Sequence, residues 1–468
     1  MPGMANTEAP PPLPKSQPPF TRRNATIIKL LGVGALVLLL LIPLTMITGV
    51  LNDRLQRRNQ AVADITSSWG QEQNLIGPVL GIPYSYRYKA VKEIPLGDGK
   101  VERREVEETT VANAYFLPET LNISGDVQTQ TLHRGIYDAA VFRAQVTMTG
   151  RFTPPDFGVL KIDPKDVQWK DAFVTIALND MRGTREGIVL DWGGNKRPLL
   201  PGSQIPGYTT GATALLANGN AIAAPVDFSI AVDFNGSDGI FFAPFGVKNE
   251  ATLKSNWRDP GFRGAFLPAA RSIRPDGFEA NWKVSYYGRD YPQQWSSRGG
   301  NERFNVKSVA DSRFGAQFLS ILDAYRYVER SIKYGVLFLV LVFTTFFLFE
   351  VTARQKIHPF QYLMVGAALC LFYLLLLSIS EFIGFGWAYL LAAVASTALI
   401  TWYCRFFLGG GVRTLMIGAG LAGVYTFLYI TLRQQDYALL MGAIALLIVL
   451  ALVMFVTRKV DWYARDSA

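Results

Sequence analysis

Cysteine and histidine are scarce, with two of each in 468 residues. Cys370 and Cys404 both fall in apolar runs near the C-terminus, so the polar part of the chain has no disulfide framework. His133 and His358 lie far apart and cannot supply a Cys/His metal cluster. Only carboxylate sites stay open, and no motif asks for a cofactor. Charge is thin as well: 18% of residues are charged against 50% hydrophobic, and the mean hydropathy is positive, too apolar for an ordinary soluble protein. No H-E-x-x-H, G-x-S-x-G or Walker sequence occurs in the polar section, so a serine or cysteine triad there would depend on His133 alone. Asp227 and Asp233 share one strand-like segment, but six residues of extended chain separate them by about 20 Å, too far for a glycosidase pair. The sequence reads as non-enzymatic.

Long hydrophobic runs are what the chain has in quantity. Residues 1–26, rich in proline (Pro10 to Pro12, Pro14, Pro18, Pro19), read as a disordered cytoplasmic tail. Leu30 to Leu51 is an uncharged run of twenty-two residues, enough to cross a hydrocarbon core of about 30 Å. Pro43 within it is tolerable in a membrane helix. The run exceeds the roughly 7–15 residues of a signal-peptide core and no A-x-A-like cleavage site follows, so 27–51 is expected to be an uncleaved signal anchor. From Tyr334 the composition turns apolar again, over about 334–349, 360–379, 387–404, 412–432 and 437–457. With the anchor, these make six expected transmembrane helices: one N-terminal, and a five-helix bundle over 333–460 followed by a cytoplasmic tail, 461–468. The first of the five is short, and Lys333 and Glu350 can snorkel to the interfaces.

Basic residues orient the chain. With the N-terminus inside, the inner segments hold Lys15, Arg22, Arg23, Lys29, Arg354, Lys356, Arg405, Arg413, Arg458, Lys459 and Arg465, while the two short outer loops hold only Arg433. The four acids of those inner segments (Glu8, Glu350, Asp461, Asp466) leave them at +7 of the net +9. The basicity is thus topological, and nucleic-acid binding is rejected. Both termini are expected in the cytoplasm, with residues 52–332 outside it as a periplasmic domain.

That domain opens with Leu55, Val62, Ile65 and Trp69 near helical spacing, a short juxtamembrane helix continuing the anchor. Strands follow. Phe142, Ala144, Val146 and Met148 alternate with polar neighbours, and Val174, Ile176, Leu178 and Val226, Phe228, Ile230, Val232 repeat the period. Gly193-Gly194-Asn195, Asn235-Gly236, Asp276-Gly277 and Gly299-Gly300 read as breakers between them. Several short strands without long helical patterns predict a mainly-β, β-sandwich-like domain.

Few residues stand out as sites. Trp257, Phe262, Phe266, Phe278 and Trp282 fall within twenty-six residues; they are either a β core or a candidate partner-binding platform for a glycan, lipid or protein. Glu350, Glu381, Arg413 and Arg433 sit at predicted helix ends, where interface anchoring or end-to-end pairing, such as Glu381 with Arg433, is expected. Gly418 with Ala422, Ala419 with Gly423, and Ala388 with Ala392 and Ser396 lie four apart, spacings that let helices pack closely in lipid. His358, before Pro359, reads as a residue starting a helix. The two cysteines lie at different membrane depths and are expected to stay free thiols.

From Arg330-Ser331-Ile332-Lys333-Tyr334-Gly335, through Leu337-Phe338 to Phe346-Phe347-Leu348-Phe349-Glu350, the sequence resembles the CreD family. The likeness continues in Ile357-His358-Pro359-Phe360-Gln361-Tyr362-Leu363, in Phe372-Tyr373-Leu374-Leu375-Leu376-Leu377-Ser378 and in Ser380-Glu381-Phe382. It reaches the polar section through Ser68-Trp69-Gly70, Gly77-Pro78-Val79-Leu80, Ser255-Asn256-Trp257 and Phe266-Leu267-Pro268. The resemblance spans roughly residues 30–460 and leaves out the proline-rich tail. It implies an inner-membrane protein of cell-envelope integrity, stress response and colicin tolerance, with a β-lactam response in some members, and it transfers no catalytic residues. The expectation is a bacterial inner-membrane protein that docks or senses through its periplasmic domain without catalysis. Its expected partners are inner-membrane lipids and an envelope protein or lipid-linked component. The rival readings are a transporter of a lipid or small molecule and a membrane-anchored periplasmic enzyme.

Overall fold

The computed structural model describes residues 25–95, 101–217, 221–298, 304–318, 324–353, 357–407, 411–434 and 437–458. The proline-rich tail up to residue 24, the Gly299-Gly300 breaker and the C-terminal tail lie outside them. The chain divides into two compact units, Met1–Arg57 with Leu322–Ala468 and Arg58–Ile321.

The first helix, α1, runs over Ala25–Trp69 with Pro43 inside it. It is one element because the apolar anchor passes into Asp53, Arg54, Arg57 and Arg58 without a glycine or proline to stop it. The boundary between units falls at Arg57, inside this helix, rather than at residue 52 as expected. Its last turns pack with the β unit: Arg134 donates to Asp64 at 2.7 Å, and the Trp69 indole donates to the Phe142 carbonyl at 3.1 Å.

The β unit contains two sheets. One is nine-stranded, ordered Pro260–Gly264, Phe314–Phe318, Gly239–Phe242, Gln73–Pro95, Phe173–Leu178, Gly211–Leu215 and Leu200–Pro201; Val101–Phe116 also pairs with Gln73–Pro95, and Gln294–Ser296 pairs with Val101–Phe116. The other is eight-stranded, ordered Ala270–Arg274, Gly277–Ser285, Lys248–Ser255, Thr120–Arg134, Tyr137–Phe152, Val226–Ser237, Val189–Trp192 and Asn195–Pro198. Pairings are antiparallel except two, Gln73–Leu75 with Ile240–Phe242 and Lys248–Ser255 with Thr120–Val127. Side chains of both sheets join one hydrophobic cluster. Alternation works as expected on Tyr137–Phe152, where Phe142, Ala144, Val146 and Met148 are buried. On Phe173–Leu178 all six residues are buried, the pattern of a strand whose two faces are both covered. A short helix, α2 (Val306–Asp311), is capped by Asn305.

One turn expectation differs from the structure. Gly193 and Gly194 do turn the chain, with φ of 55° and 85°. Asn235-Gly236 instead lies within the Val226–Ser237 strand. A Cβ at Gly236 would stand 2.4 Å from the Phe142 ring, so this glycine admits the aromatic side chain opposite it instead of bending the backbone.

The helical unit adds α3 (Ala324–Lys333), α4 (Gly335–Ala353), α5 (Pro359–Ile383), α6 (Phe385–Phe407), α7 (Gly411–Arg433) and α8 (Ala438–Thr457). By length and composition four helices are candidate membrane spans: Leu31–Trp69, α5, α6 and α7. The pair α3 and α4, bent by 46°, makes a fifth if taken as one span. The apolar stretch of α8, Leu440–Phe455, is shorter. Helix α3 belongs to this unit rather than to the β domain. It buries Tyr325, Val328, Ser331 and Ile332 and carries its charges on the other side.

Candidate functional site

Phe278 and Trp282 are buried, and Trp257, Phe262 and Phe266 pack half-buried against the same core. Phe262 meets Phe278 and Trp282 edge-on, at 5.6 and 5.8 Å between ring centroids. Trp282 also lies against Phe314, and its indole donates to the Phe266 carbonyl at 3.2 Å. The expected partner-binding platform is therefore a core. Aromatic rings among glycines and prolines fill the space between strands, with Phe278 and Trp282 buried and Trp257, Phe262 and Phe266 half-buried at its edge.

The more open feature of the β unit is a hairpin. Gln73–Pro95 pairs with Phe173–Leu178 only as far as Gly81, and Gln294–Ser296 reaches Val101–Phe116 only at Ala114–Phe116. Beyond Tyr84, which bridges Val167, Ser85–Pro95 and Val101–Val111 pair only with each other among the described residues. Tyr84, Tyr86 and Tyr88 form a ladder with centroids 6.0 and 6.2 Å apart along one face. Arg298 covers Tyr86 at 4.6 Å. Tyr88, Val91 and Val111 are exposed. Cross-strand pairs hold the arm together: Lys89 with Glu105 at 3.1 Å, Lys92 with Glu108, and Tyr88 donating to Glu108 at 2.9 Å. Lys92 and Tyr88 together hold the Glu108 carboxyl below its ordinary range.

Elsewhere in this unit several charged groups are paired. Asp227 binds Arg151, and Asp233 binds Arg143, so the two carboxylates of that strand each serve a separate ion pair. His133 sits near the tip of the hairpin Thr120–Arg134/Tyr137–Phe152, exposed, with Nδ1 2.6 Å from Asp138. A polar crevice of about 270 Å³ lies elsewhere, lined among others by Asp126, Gln128, Lys254, Asn256, Arg274 and Glu279. Lys254 and Glu279 stand 3.3 Å apart in it. His133 is not part of its lining. Arg289, which the sequence did not single out, is buried and donates to the carbonyls of Pro244 and Phe245, both at 3.1 Å. Its guanidinium lies 4.7 Å from the Tyr291 ring, and burial lowers its pKa. Among the described residues no group of three His, Cys, Asp or Glu side chains converges as a metal site.

In the helical unit the expected charge pair is replaced by another arrangement. Glu381 accepts the Tyr325 hydroxyl at 3.0 Å and stands 3.7 Å from Arg54 Nε. The guanidinium of Arg433, its expected partner, lies 5.8 Å from the Tyr429 ring instead. A tyrosine hydroxyl helps satisfy a buried carboxylate at a lower desolvation cost than a further buried ion would carry. Glu350 is also buried and accepts the Tyr362 hydroxyl at 3.1 Å and the Ile357 amide at 3.2 Å. Arg413 is exposed in the first turn of α7. His358 starts α5, accepting from the Phe360 amide at 3.2 Å while its own amide donates to Gln361 at 2.9 Å.

The small residues part into two groups. Ala388, Ala392 and Ser396 form a buried face of α6, where Ser396 accepts the Tyr425 hydroxyl at 2.9 Å and reaches the Ala368 carbonyl at 3.3 Å. Gly418 lets α7 approach Thr401 of α6, since a Cβ there would stand 2.9 Å from its hydroxyl. Ala419, Ala422 and Gly423 are exposed, and a Cβ on Gly423 meets nothing within 4 Å. Gly420, Gly423 and Gly442 instead help line an apolar groove of about 360 Å³ between α4, α7 and α8. Gly366, another residue the sequence reading passed over, lies where α1, α4 and α5 meet: a Cβ would stand 2.1 Å from Leu40 and 2.9 Å from Phe343. Cys370, one turn on, points its thiol at the Leu40 carbonyl, 3.8 Å away. Both cysteines are buried and free.

A mainly-β domain joined to several long apolar helices, with buried acids held by tyrosines, defines an integral membrane protein. The family model described as inner membrane protein CreD matches residues 25–463. The inner membrane protein CreD of Escherichia coli (strain K12) is 30% identical over 438 residues, covering 93% of each chain. The chain belongs to the CreD family.

Proposed function

We propose that this inner-membrane protein supports cell-envelope integrity under stress by docking an envelope partner, without catalysis, through the hairpin arm Ser85–Pro95/Val101–Val111. The observation that carries this reading is the arm itself. Two strands with free outer edges, an aromatic ladder and exposed Tyr88, Val91 and Val111 extend past the sheet's own pairing. Free strand edges admit an added strand from a partner, and the ladder offers amphipathic rings beside them. The paired state of Asp227, Asp233 and Glu108 favours a binding role over acid–base chemistry. This reading takes six membrane spans, counting α8 and the α3–α4 pair, with both termini cytoplasmic. The β unit is periplasmic, its two sheets packed as a sandwich. The positive-inside bias supports that orientation.

The test shortens the arm. Ser85 pairs with Val111, so joining them through an Asn-Gly turn removes the distal hairpin and leaves the sheet pairing. Cells whose only copy carries this deletion are challenged with a β-lactam and with detergent. Loss of protection at unchanged membrane abundance is expected. Full protection by the shortened protein would rule out docking through the arm. The apolar groove between α4, α7 and α8 favours a second reading, a transporter of a lipid.

A further inference from the structure

We propose that the groove between α4, α7 and α8 holds one acyl chain of an anionic phospholipid from the surrounding bilayer, its phosphate meeting the basic rim at the Tyr334 end. This inference is separate from the docking role of the arm.

The groove has the chemistry and length of one leaflet. Its walls are almost wholly apolar, with Phe338, Leu341, Val424, Phe427, Ile448 and Val449 among the lining residues. Along α7 it extends from Gly420 to Thr431, about 16 Å at roughly 1.5 Å per residue. Half of a hydrocarbon core of about 30 Å is nearly the same depth. Glycine makes the space: an ideal Cβ at Gly420, Gly423 or Gly442 meets no atom within 4 Å. The lining side chains of α8 are themselves exposed at Ile444, Leu446 and Ile448, so the groove is open along its length to the solvent of this unit, which for an inner-membrane protein is lipid.

Charge selects the headgroup. Tyr334 and Thr431 mark one end of the groove. Beside them α3 ends with Arg330 and Lys333 in its last turn, and α7 ends with Arg433. Lys333 shares its charge with Glu329 at 2.8 Å. Arg330, Lys333 and Arg433 thus make three cations against that one acid. At the same end Glu381 is already matched by Arg54 and Tyr325. A net-positive rim above an apolar slot complements a phosphate above an acyl chain, and guanidinium binds phosphate through a geometrically matched fork. A zwitterionic headgroup brings its own ammonium to that rim and gains less.

Full-length protein is equilibrated with vesicles of equal phosphatidylglycerol and phosphatidylethanolamine, extracted, and examined by native mass spectrometry. One retained phosphatidylglycerol per chain is expected. Gly423→Leu, which fills the slot, and the double variant Arg330→Gln/Arg433→Gln, which strips the rim, should each lower its retention by roughly tenfold or more. Equal retention in all three proteins overturns the proposal, and so does equal retention of the two lipids by the unmodified protein. Loss in Gly423→Leu without loss in the double variant would also overturn it, because the chain would then be held without its headgroup. Should Gly423→Leu fail to accumulate, the double variant, whose changes lie at helix ends with Arg433 exposed and Arg330 half-buried, decides alone.

Discussion

Trp282→Ala separates a core from a platform. Trp282 has no exposed surface, and a buried tryptophan removes about 150–250 Å² from water. At about 25 cal/mol per Å² that burial is worth about 4–6 kcal/mol as an upper bound. Measured losses for Trp→Ala in cores, about 3–5 kcal/mol, include the cavity left behind. The indole also satisfies the Phe266 carbonyl, which contributes about 1 kcal/mol more. An expected cost of about 4 kcal/mol is a large share of a domain's total stability of about 5–15 kcal/mol. Trp257→Ala should cost only about 1–2 kcal/mol, since Trp257 is half-buried, touches Phe318 edge-on and donates to the neighbouring Asp259 carbonyl. Pulse proteolysis of the full chain in native membranes across a urea series reads the unfolding midpoint of the β unit directly. If Trp282→Ala moves that midpoint less than Trp257→Ala does, the segment is not core and the reasoning fails.

Two further outcomes follow from the packing and the ion pairs. Gly366→Leu should detach α1 from α4 and α5, because even a Cβ there meets Leu40 and Phe343. A cost of about 1–3 kcal/mol, read as lost cross-linking between cysteines placed on α1 and α5, is expected, and unchanged cross-linking would refute the three-helix contact. Acidification should weaken the β unit. Arg143 beside Asp233 and Arg182 beside Asp180 hold both carboxyls below their ordinary range. Their folded pKa values therefore lie under the unfolded one, about 3.9, so their contribution is complete above that value and is lost as pH falls through the folded pKa. Asp238, raised by burial and by Glu72, works with the opposite sign, and its contribution is lost as pH rises. The urea midpoint should fall as pH drops below about 3.9, less steeply in Asp233→Asn, and a flat profile there would count against the pairs.

Periodicity made much of the fold legible. Phe142, Ala144, Val146 and Met148 mark their strand by alternation alone, and the uncharged run from Leu30 marks the N-terminal half of α1. What the sequence hid was pairing at a distance. A strand of 23 residues, Gln73–Pro95, has one half inside a sheet and one half in an arm, and no local pattern distinguishes them, because the difference lies in which strands arrive alongside. Gly366 carried a readable signal, a small residue one turn before Cys370, yet its importance depends on α1 folding back against α5. Arg289 had none: a buried arginine bound to carbonyls looks, in sequence, like any exposed one.

The helix-end charges show where sequence reasoning about membranes needs chemistry beyond counting signs. Glu381 and Arg433 have opposite charge and were expected to meet. In a medium that charges a high desolvation cost for each buried ion, a neutral donor is the better partner. Tyr325 joins Arg54 at Glu381, and Tyr362 donates to Glu350. Arg433 stays at the end of α7 with its guanidinium toward Tyr429. Because Arg54 and Tyr325 satisfy Glu381, the cation of Arg433 is left beside the mouth of the apolar groove. Glu381 and Glu350 are therefore internal fasteners, and Arg433 remains for whatever anion the bilayer brings to that rim.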